Sequence, residues 1–211
     1  MKVNSILLIT FCLLQVLFWI NCSTDGVNEQ SLKNAAAKTL KYTRMYHQDS
    51  LKLNDNKLND KDQLFELKFS YPSLTLDNIQ FSFDDYGLLH IKFVNLKATI
   101  TGKNSVKLFL FPILVDFTAQ LSNFNWEQVF IVAKKDLGNG KLDIKFKPTE
   151  ESAVKFNIFR FTSKLEKLQA FQMPLEQKIK SKLELLDFTP VKDQLKKVAQ
   201  LILETLQSDL K

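Results

Sequence analysis

Apolar residues recur with two different periods along this chain, and the changes of period divide it into three parts. From Ser31 to Tyr46, SLKNAAAKTLKYTRMY, the residues Leu32, Ala36, Thr39, Thr43 and Tyr46 fall on one stripe at helical spacing. Three consecutive alanines favour helix and allow close approach to a neighbour. Residues 47 to 62 are polar, rich in Asn and Asp, and read as a loop within one domain. From Gln63 to Phe146 the period becomes two. Leu64 to Phe69 opens this part, followed by Leu74, Leu76, Ile79, Phe81 and Phe83, then a turn at Asp84-Asp85-Tyr86-Gly87.

Leu89, Ile91 and Phe93 alternate, after which the phase slips to Val94, Leu96, Ala98 and Ile100. A slip of one residue sends an apolar set to the opposite face unless a bulge absorbs it, so a bulge or strong coil is predicted near Phe93-Val94. Thr101 to Asn104 reads as the next turn. Phe109 to Leu121 forms a further line in which Pro112 implies an edge position or a bulge. Val129, Ile131 and Ala133 lead into Leu137-Gly138-Asn139-Gly140, a hairpin signal, and Leu142, Ile144 and Phe146 return. Helical spacing then resumes. Phe161, Leu165, Leu168 and Phe171 share a face, and Pro174 sits where a helix can start, with Leu175, Ile179, Leu183 and Leu186 behind it. Thr189-Pro190 reads as a cap followed by proline at the first helical position, and Val191, Leu195, Val198, Ile202 and Leu206 continue a stripe to the end. Consecutive hairpins flanked by helices, without crossover helices, predict an α+β fold: an antiparallel meander between a short N-terminal helix and a long, broken C-terminal one.

The first residues change the picture of where this domain works. Lys2 is followed by the apolar run Ile6–Ile20 and a short polar end, Asn21-Cys22-Ser23. That is the pattern of a secretory signal, too short for a confident membrane span. Residues 1–22 are therefore expected to be a signal peptide, residues 23–211 a single domain, and the product secreted. An alternative is acylation at Cys22, which would anchor a surface lipoprotein. Because Cys12 also lies in the signal, removal of residues 1–22 would leave a chain without cysteine, whose fold rests on its core alone.

Of the 211 residues 45% are hydrophobic, and the formal net charge is +6. A moderate positive balance suits acidic surfaces such as an anionic membrane, and also plain solubility. Nucleic acid is not favoured, because the only arginines are Arg44 and Arg160 and bidentate phosphate or base recognition prefers arginine. Constellations for catalysis do not emerge. His47 and His90 lack partners at metal or triad spacing, glycine is scarce, and Asp84-Asp85 fits a solvated turn. The chain is read as a binding protein without a cofactor, not an enzyme. Lys178, Lys180 and Lys182 could meet headgroups but fan around a helix as a solvated face does. Phe156, Phe159 and Phe161 could line a cavity or simply fill a core.

The segment IKFVNLKATITGK, residues 91 to 103, resembles the N-terminal barrel of bactericidal/permeability-increasing protein and its relatives. FPILVDFTAQLSNF, residues 111 to 124, is similar to the strand that follows there, and GNGKLDIKF, residues 138 to 146, to the next hairpin. The amphipathic stretch 163–206 matches in place and character. The family is the tubular lipid-binding superfamily, which includes palate-lung-nasal clone proteins, latherin and mite group-7 allergens. The resemblance covers residues 30 to 207, one barrel and not two. It implies a highly curved antiparallel sheet, a half-barrel, wrapped around a long helix, with an apolar groove between them. It further implies a phospholipid, lipopolysaccharide or fatty-acid-like ligand, held between Phe81, Phe93, Phe117, Leu121 and Ile131 on the sheet and Leu183, Leu195, Val198 and Ile202 on the helix. A carrier, a sequestering protein or a host-defence protein would all fit, as would a surface-active protein that spreads at an interface. The antibacterial members join hairpin to helix by a disulfide, and this sequence has no cysteine at either place.

Overall fold

The computed structural model describes residues 26–42, 51–52, 64–70, 74–108, 111–138, 142–164 and 169–210. Residues 1–22, with Cys12 and Cys22, lie outside the described residues, as do Thr43, Tyr46 and His47. In chain order the elements are α1 (Glu29–Tyr42), β1 (Leu51–Lys52), β2 (Leu64–Ser70), a 3-10 turn (Leu76–Asn78), β3 (Ile79–Phe83), β4 (Leu89–Leu108), β5 (Phe111–Asp136), β6 (Leu142–Glu151), β7 (Lys155–Ser163), α2 (Gln169–Glu184) and α3 (Thr189–Asp209). The fold is α+β: one curled antiparallel sheet of seven strands, with a short helix before it and two helices after it.

The spine of the sheet is the β4–β5 hairpin, whose strands run for 20 and 26 residues. They pair from Leu108↔Phe111 at the tip to Leu89↔Phe130 at the base. Globular strands usually run 3–10 residues; at about 3.3 Å per residue these two reach roughly 65 and 85 Å along their contours. Each carries two short strands end to end on its outer edge. On β4, β2 pairs with Thr99–Asn104 and β3 with Leu89–Phe93. On β5, β7 pairs with 117–125 and β6 with 128–136.

Both outer edges break where the central hairpin is irregular. Register slips between Phe93 and Ala98 on β4 and again along 120–125 on β5. At these slips Asn95 (φ 55°) and Asn123 (φ 52°) adopt left-handed backbone, which asparagine tolerates better than most side chains. Asn125 Oδ1 accepts the Asn95 N–H at 2.8 Å, and Asn78 Nδ2 donates to the Val94 carbonyl at 3.0 Å. The bulge expected at Phe93-Val94 is therefore present, with a counterpart on β5. Paired bulges increase local twist and bend, so the long ribbon curls into a half-barrel instead of extending flat.

Several expectations are corrected. Thr101–Asn104 is not a turn but the middle of β4. Gly102 serves there as a contact surface, since a Cβ would lie 2.6 Å from Leu67 Cδ2 and 3.0 Å from the Phe117 ring. Pro112 pairs with Lys107 near the hairpin tip, beyond Phe117↔Ser163 where β7 ends, which is the edge position anticipated. The polar segment 47–62 contains β1, paired with Lys68 and Phe69. Phe161 belongs not to a helix but to β7, KFNIFRFTS, which pairs with β5 with a slip of register between Ile158 and Arg160. Pro174 stands inside α2, at its sixth residue, and not at its start.

The first helix begins at Glu29 instead of Ser31 because of a reciprocal cap. The Ser31 N–H donates to Asn28 Oδ1 at 2.9 Å and the Asn28 N–H to Ser31 Oγ at 3.0 Å. At α3 the cap is not Thr189. Phe188 occupies that position, and Asp187 Oδ1 accepts both the Thr189 N–H (3.0 Å) and its hydroxyl (2.6 Å), leaving Pro190 within the first turn. Leu32, Ala35, Ala36 and Thr39 of α1 are buried. Thr39 and Thr205 share a hydroxyl hydrogen bond of 2.9 Å, and Lys38 meets Asp209 at 2.7 Å, so α1 packs along the end of α3.

Candidate functional site

The concave face of the sheet is one apolar surface. On β4 it runs through Ile91, Phe93, Leu96, Ala98 and Ile100. On β5 it runs through Val115, Phe117, Ala119 and Leu121, then changes phase at Asn123 to continue through Phe124, Trp126 and Phe130. Two stacked ring pairs mark the two halves: Phe117 with Phe161 (5.9 Å) and Phe93 with Trp126 (5.9 Å). Between them Phe188, entering from the start of α3, meets Phe69, Phe124 and Phe156 edge-on or tilted at 5.4–6.2 Å. Leu175, Ile179 and Leu183 of α2 and Val191, Leu195 and Ile202 of α3 close the same core from the helical side.

Of the nine side chains expected to line a groove, Phe81, Phe93, Phe117, Leu121, Leu183, Leu195 and Ile202 are buried and belong to this single cluster. Val198 is half-buried and packs against it. Ile131 is corrected: it is 41% exposed and faces outward. The phase change at Asn123 hands the inward positions of β5 to Phe124, Trp126 and Phe130, and Ile131 falls between them and the half-buried Val132. Phe69, Phe124, Trp126 and Phe188 were not anticipated. Asn123 in SNFNW was the available signal for Phe124 and Trp126, as a residue that tolerates the left-handed backbone at which the strand resets.

Outside the core, His90 bridges two carboxylates on the outer side of the β3–β4 hairpin. Its Nδ1 lies 2.5 Å from Glu127 Oε1 and its Nε2 3.4 Å from Asp84 Oδ2, while Lys92 Nζ is 3.8 Å from the same Glu127 oxygen. Both ring nitrogens face carboxylates, so the arrangement ties the hairpin turn to β5. Among the described residues no group of three or more His, Cys, Asp or Glu side chains is placed to hold a metal ion. Among them, too, no helix is long and apolar enough to cross a membrane.

Three carboxylates among the described residues are held below their usual range and make the fold sensitive to acid: Asp84, Glu151 and Asp116, the last chiefly by its hydrogen bond from Lys164. Burial works against ionisation of Asp84, but the Leu88 and Tyr86 N–H groups and His90 together hold it below the usual carboxylate range. Glu151 is lowered first by its hydrogen bond from Lys192 (2.8 Å), then by Lys196 (2.7 Å), which fix the first turns of α3 to the end of β6. A group whose folded pKa is depressed stabilises the fold above its unfolded pKa and loses that contribution as pH falls through the folded value. Stability should therefore decline as pH falls below about pH 4. Denaturation midpoints of Asp84→Asn and Glu151→Gln should each fall less steeply between about pH 4 and pH 2 than those of the parent protein. Parallel acid limbs in parent and variants would refute this.

No family model matches the chain, and no curated protein matches it. Among solved structures, it is similar to the crystal structure of Epiphyas postvittana Takeout 1. That alignment covers 86% of this chain and 89% of the other at 16% identity, with a TM-score of 0.38.

Proposed function

We propose that this protein binds lipids or other long hydrophobic molecules in the interior of its curled sheet, and that it does so as a secreted, single-domain member of the tubular lipid-binding superfamily. The observation that carries the reading is the length of β4 and β5. Strands of 20 and 26 residues far exceed what a compact core of this size requires. They keep a largely apolar face on their concave side, interrupted by the buried Asn104, and helices cover it. That is the shape suited to an acyl or isoprenoid chain, which gains about 0.8 kcal/mol for each methylene withdrawn from water. Lining residues would be Phe81, Phe93, Phe117 and Leu121 from the sheet and Leu183, Leu195, Val198 and Ile202 from the helices, joined by Phe124, Trp126 and Phe188. The role is sequestration or carriage without chemical change of the ligand. The positive net charge, +6 for the full chain and one less without Lys2, would help the protein approach an anionic membrane from which ligand is drawn.

The test is native mass spectrometry of the protein recovered from the medium of expressing eukaryotic cells, followed by solvent extraction. A stoichiometric mass excess that extracts as lipid is expected. A bare polypeptide mass, unchanged after incubation with a mixed lipid extract, would overturn the binding role. Retention of all the protein inside the cells would overturn secretion alone.

A further inference from the structure

Among the described residues, two bury side-chain polar atoms that have no hydrogen-bond partner: Asn104, through both its amide nitrogen and its oxygen, and Trp126, through its indole nitrogen. Buried polar groups are nearly always paired, so each orphan calls for a reason. Both lie on the concave face. Asn104 follows Ile100 and Gly102 at two-residue intervals on β4, stands opposite the buried Val115 of β5, and is fully buried. Leu67 and Phe117 crowd Gly102, two residues away on the same face. The charges at this level are held on the other face of the sheet: Lys164 pairs with Asp116, and Lys103 acts on the same carboxylate.

We propose that the interior takes a neutral long-chain amphiphile whose hydroxyl or carbonyl oxygen is held by the Asn104 side-chain amide. This rests on the hydrophobic-ligand reading above and narrows its chemistry. A primary amide both donates and accepts, so it satisfies a hydroxyl completely and a carbonyl through its N–H. An ionised headgroup would surrender its hydration with no opposite charge beside it, which disfavours a carboxylate or phosphate at this point. The Trp126 indole can only donate, so the second orphan also asks for an oxygen acceptor and not for a cation. Asn104 and the Phe93–Trp126 stack are separated by roughly 35 Å of β4 contour, so the two orphans mark different stretches of one apolar surface.

The experiment uses N-phenyl-1-naphthylamine as an apolar fluorescent probe. It is displaced by hexadecan-1-ol, by hexadecane or by palmitate at about pH 8, where the acid is ionised, each delivered from cyclodextrin. The probe should bind parent, Asn104→Leu, Asn104→Ala and Asn104→Ser alike. Hexadecanol should displace it about tenfold less effectively from the leucine and alanine variants (~1.4 kcal/mol), and hexadecane equally from all. Serine, which keeps a hydroxyl, should recover most of the loss, and using both alanine and leucine frees the comparison from how well leucine fits. On the parent, palmitate should rank below hexadecanol. Equal displacement by hexadecanol from every variant would mean that Asn104 is satisfied by water alone and would overturn the inference. Palmitate outranking hexadecanol would overturn the neutral class. Failure of the probe to bind the parent would instead overturn the hydrophobic-ligand reading itself.

Discussion

Trp126→Ala should lower the unfolding free energy by about 3–5 kcal/mol, the largest loss expected from any single truncation in this protein. Trp126 is 1% exposed, lies directly across the ladder from Phe93 and stacks on it at 5.9 Å. It follows Phe124 on the inward line that β5 takes up after its change of phase at Asn123. Removing it leaves a cavity that two bulged strands cannot easily close, because their register is fixed by pairing on both sides of the slip. Trp126→Phe keeps the stack and removes an unpartnered N–H, so its cost should stay within about 1.5 kcal/mol. Urea unfolding followed by far-ultraviolet circular dichroism would measure both. A loss below about 1.5 kcal/mol for the alanine variant would show that the bend is not packed around this ring.

The second large effect is expected on the helical side. Leu195 of α3 is 2% exposed and belongs to the core, whereas Val198, one turn on, is only half-buried. Leu195→Glu would place a carboxylate among apolar side chains with no partner, at a cost of at least about 3 kcal/mol or release of the helix from the sheet. The same change at Val198 can turn its carboxylate toward solvent and should cost about 1 kcal/mol or less, while Lys197→Glu, on the exposed face, serves as control. Ligand loading by native mass spectrometry should vanish for Leu195→Glu and persist in the control. Loading of Leu195→Glu at the parent level would remove α3 from the binding interior.

What the sequence made legible follows from how local each signal is. Alternation of period two is written into each short stretch, so β3, the first half of β4 and the hairpin at Gly138 could be placed from the residues alone. The slip at Phe93-Val94 was visible because apolar positions flank it on both sides. Its partner at Asn123 was not, since the even-numbered line Phe124, Trp126 is broken by the polar Gln128 and the odd-numbered line Val129, Ile131, Ala133 looked equally regular. That one missed phase put Ile131 on the wrong face. TGKN carries turn chemistry, yet here Gly102 is required by Leu67 and Phe117 pressing on β4, a contact between residues far apart in the chain. Tertiary packing of that kind overrides local preference and leaves no periodic trace. The candidate interior was legible as a list of apolar residues but not as a place with a polar point, because Asn104 reads as one more turn asparagine until the strand runs through it.

The packing of α1 on α3 has a consequence for how the chain is made. Lys38 and Thr39 meet Asp209 and Thr205, partners separated by 171 and 166 positions. At synthesis rates of about 5–20 residues per second, α1 leaves the ribosome roughly 10–30 s before the helix that covers it. During that interval Leu32, Ala35 and Ala36 have no α3 to rest on, so nascent chains stalled before residue 189 should be held by chaperones that grip apolar segments. Release would coincide with α3 closing over α1, which makes residues 189–209 the step that commits this domain to its finished form.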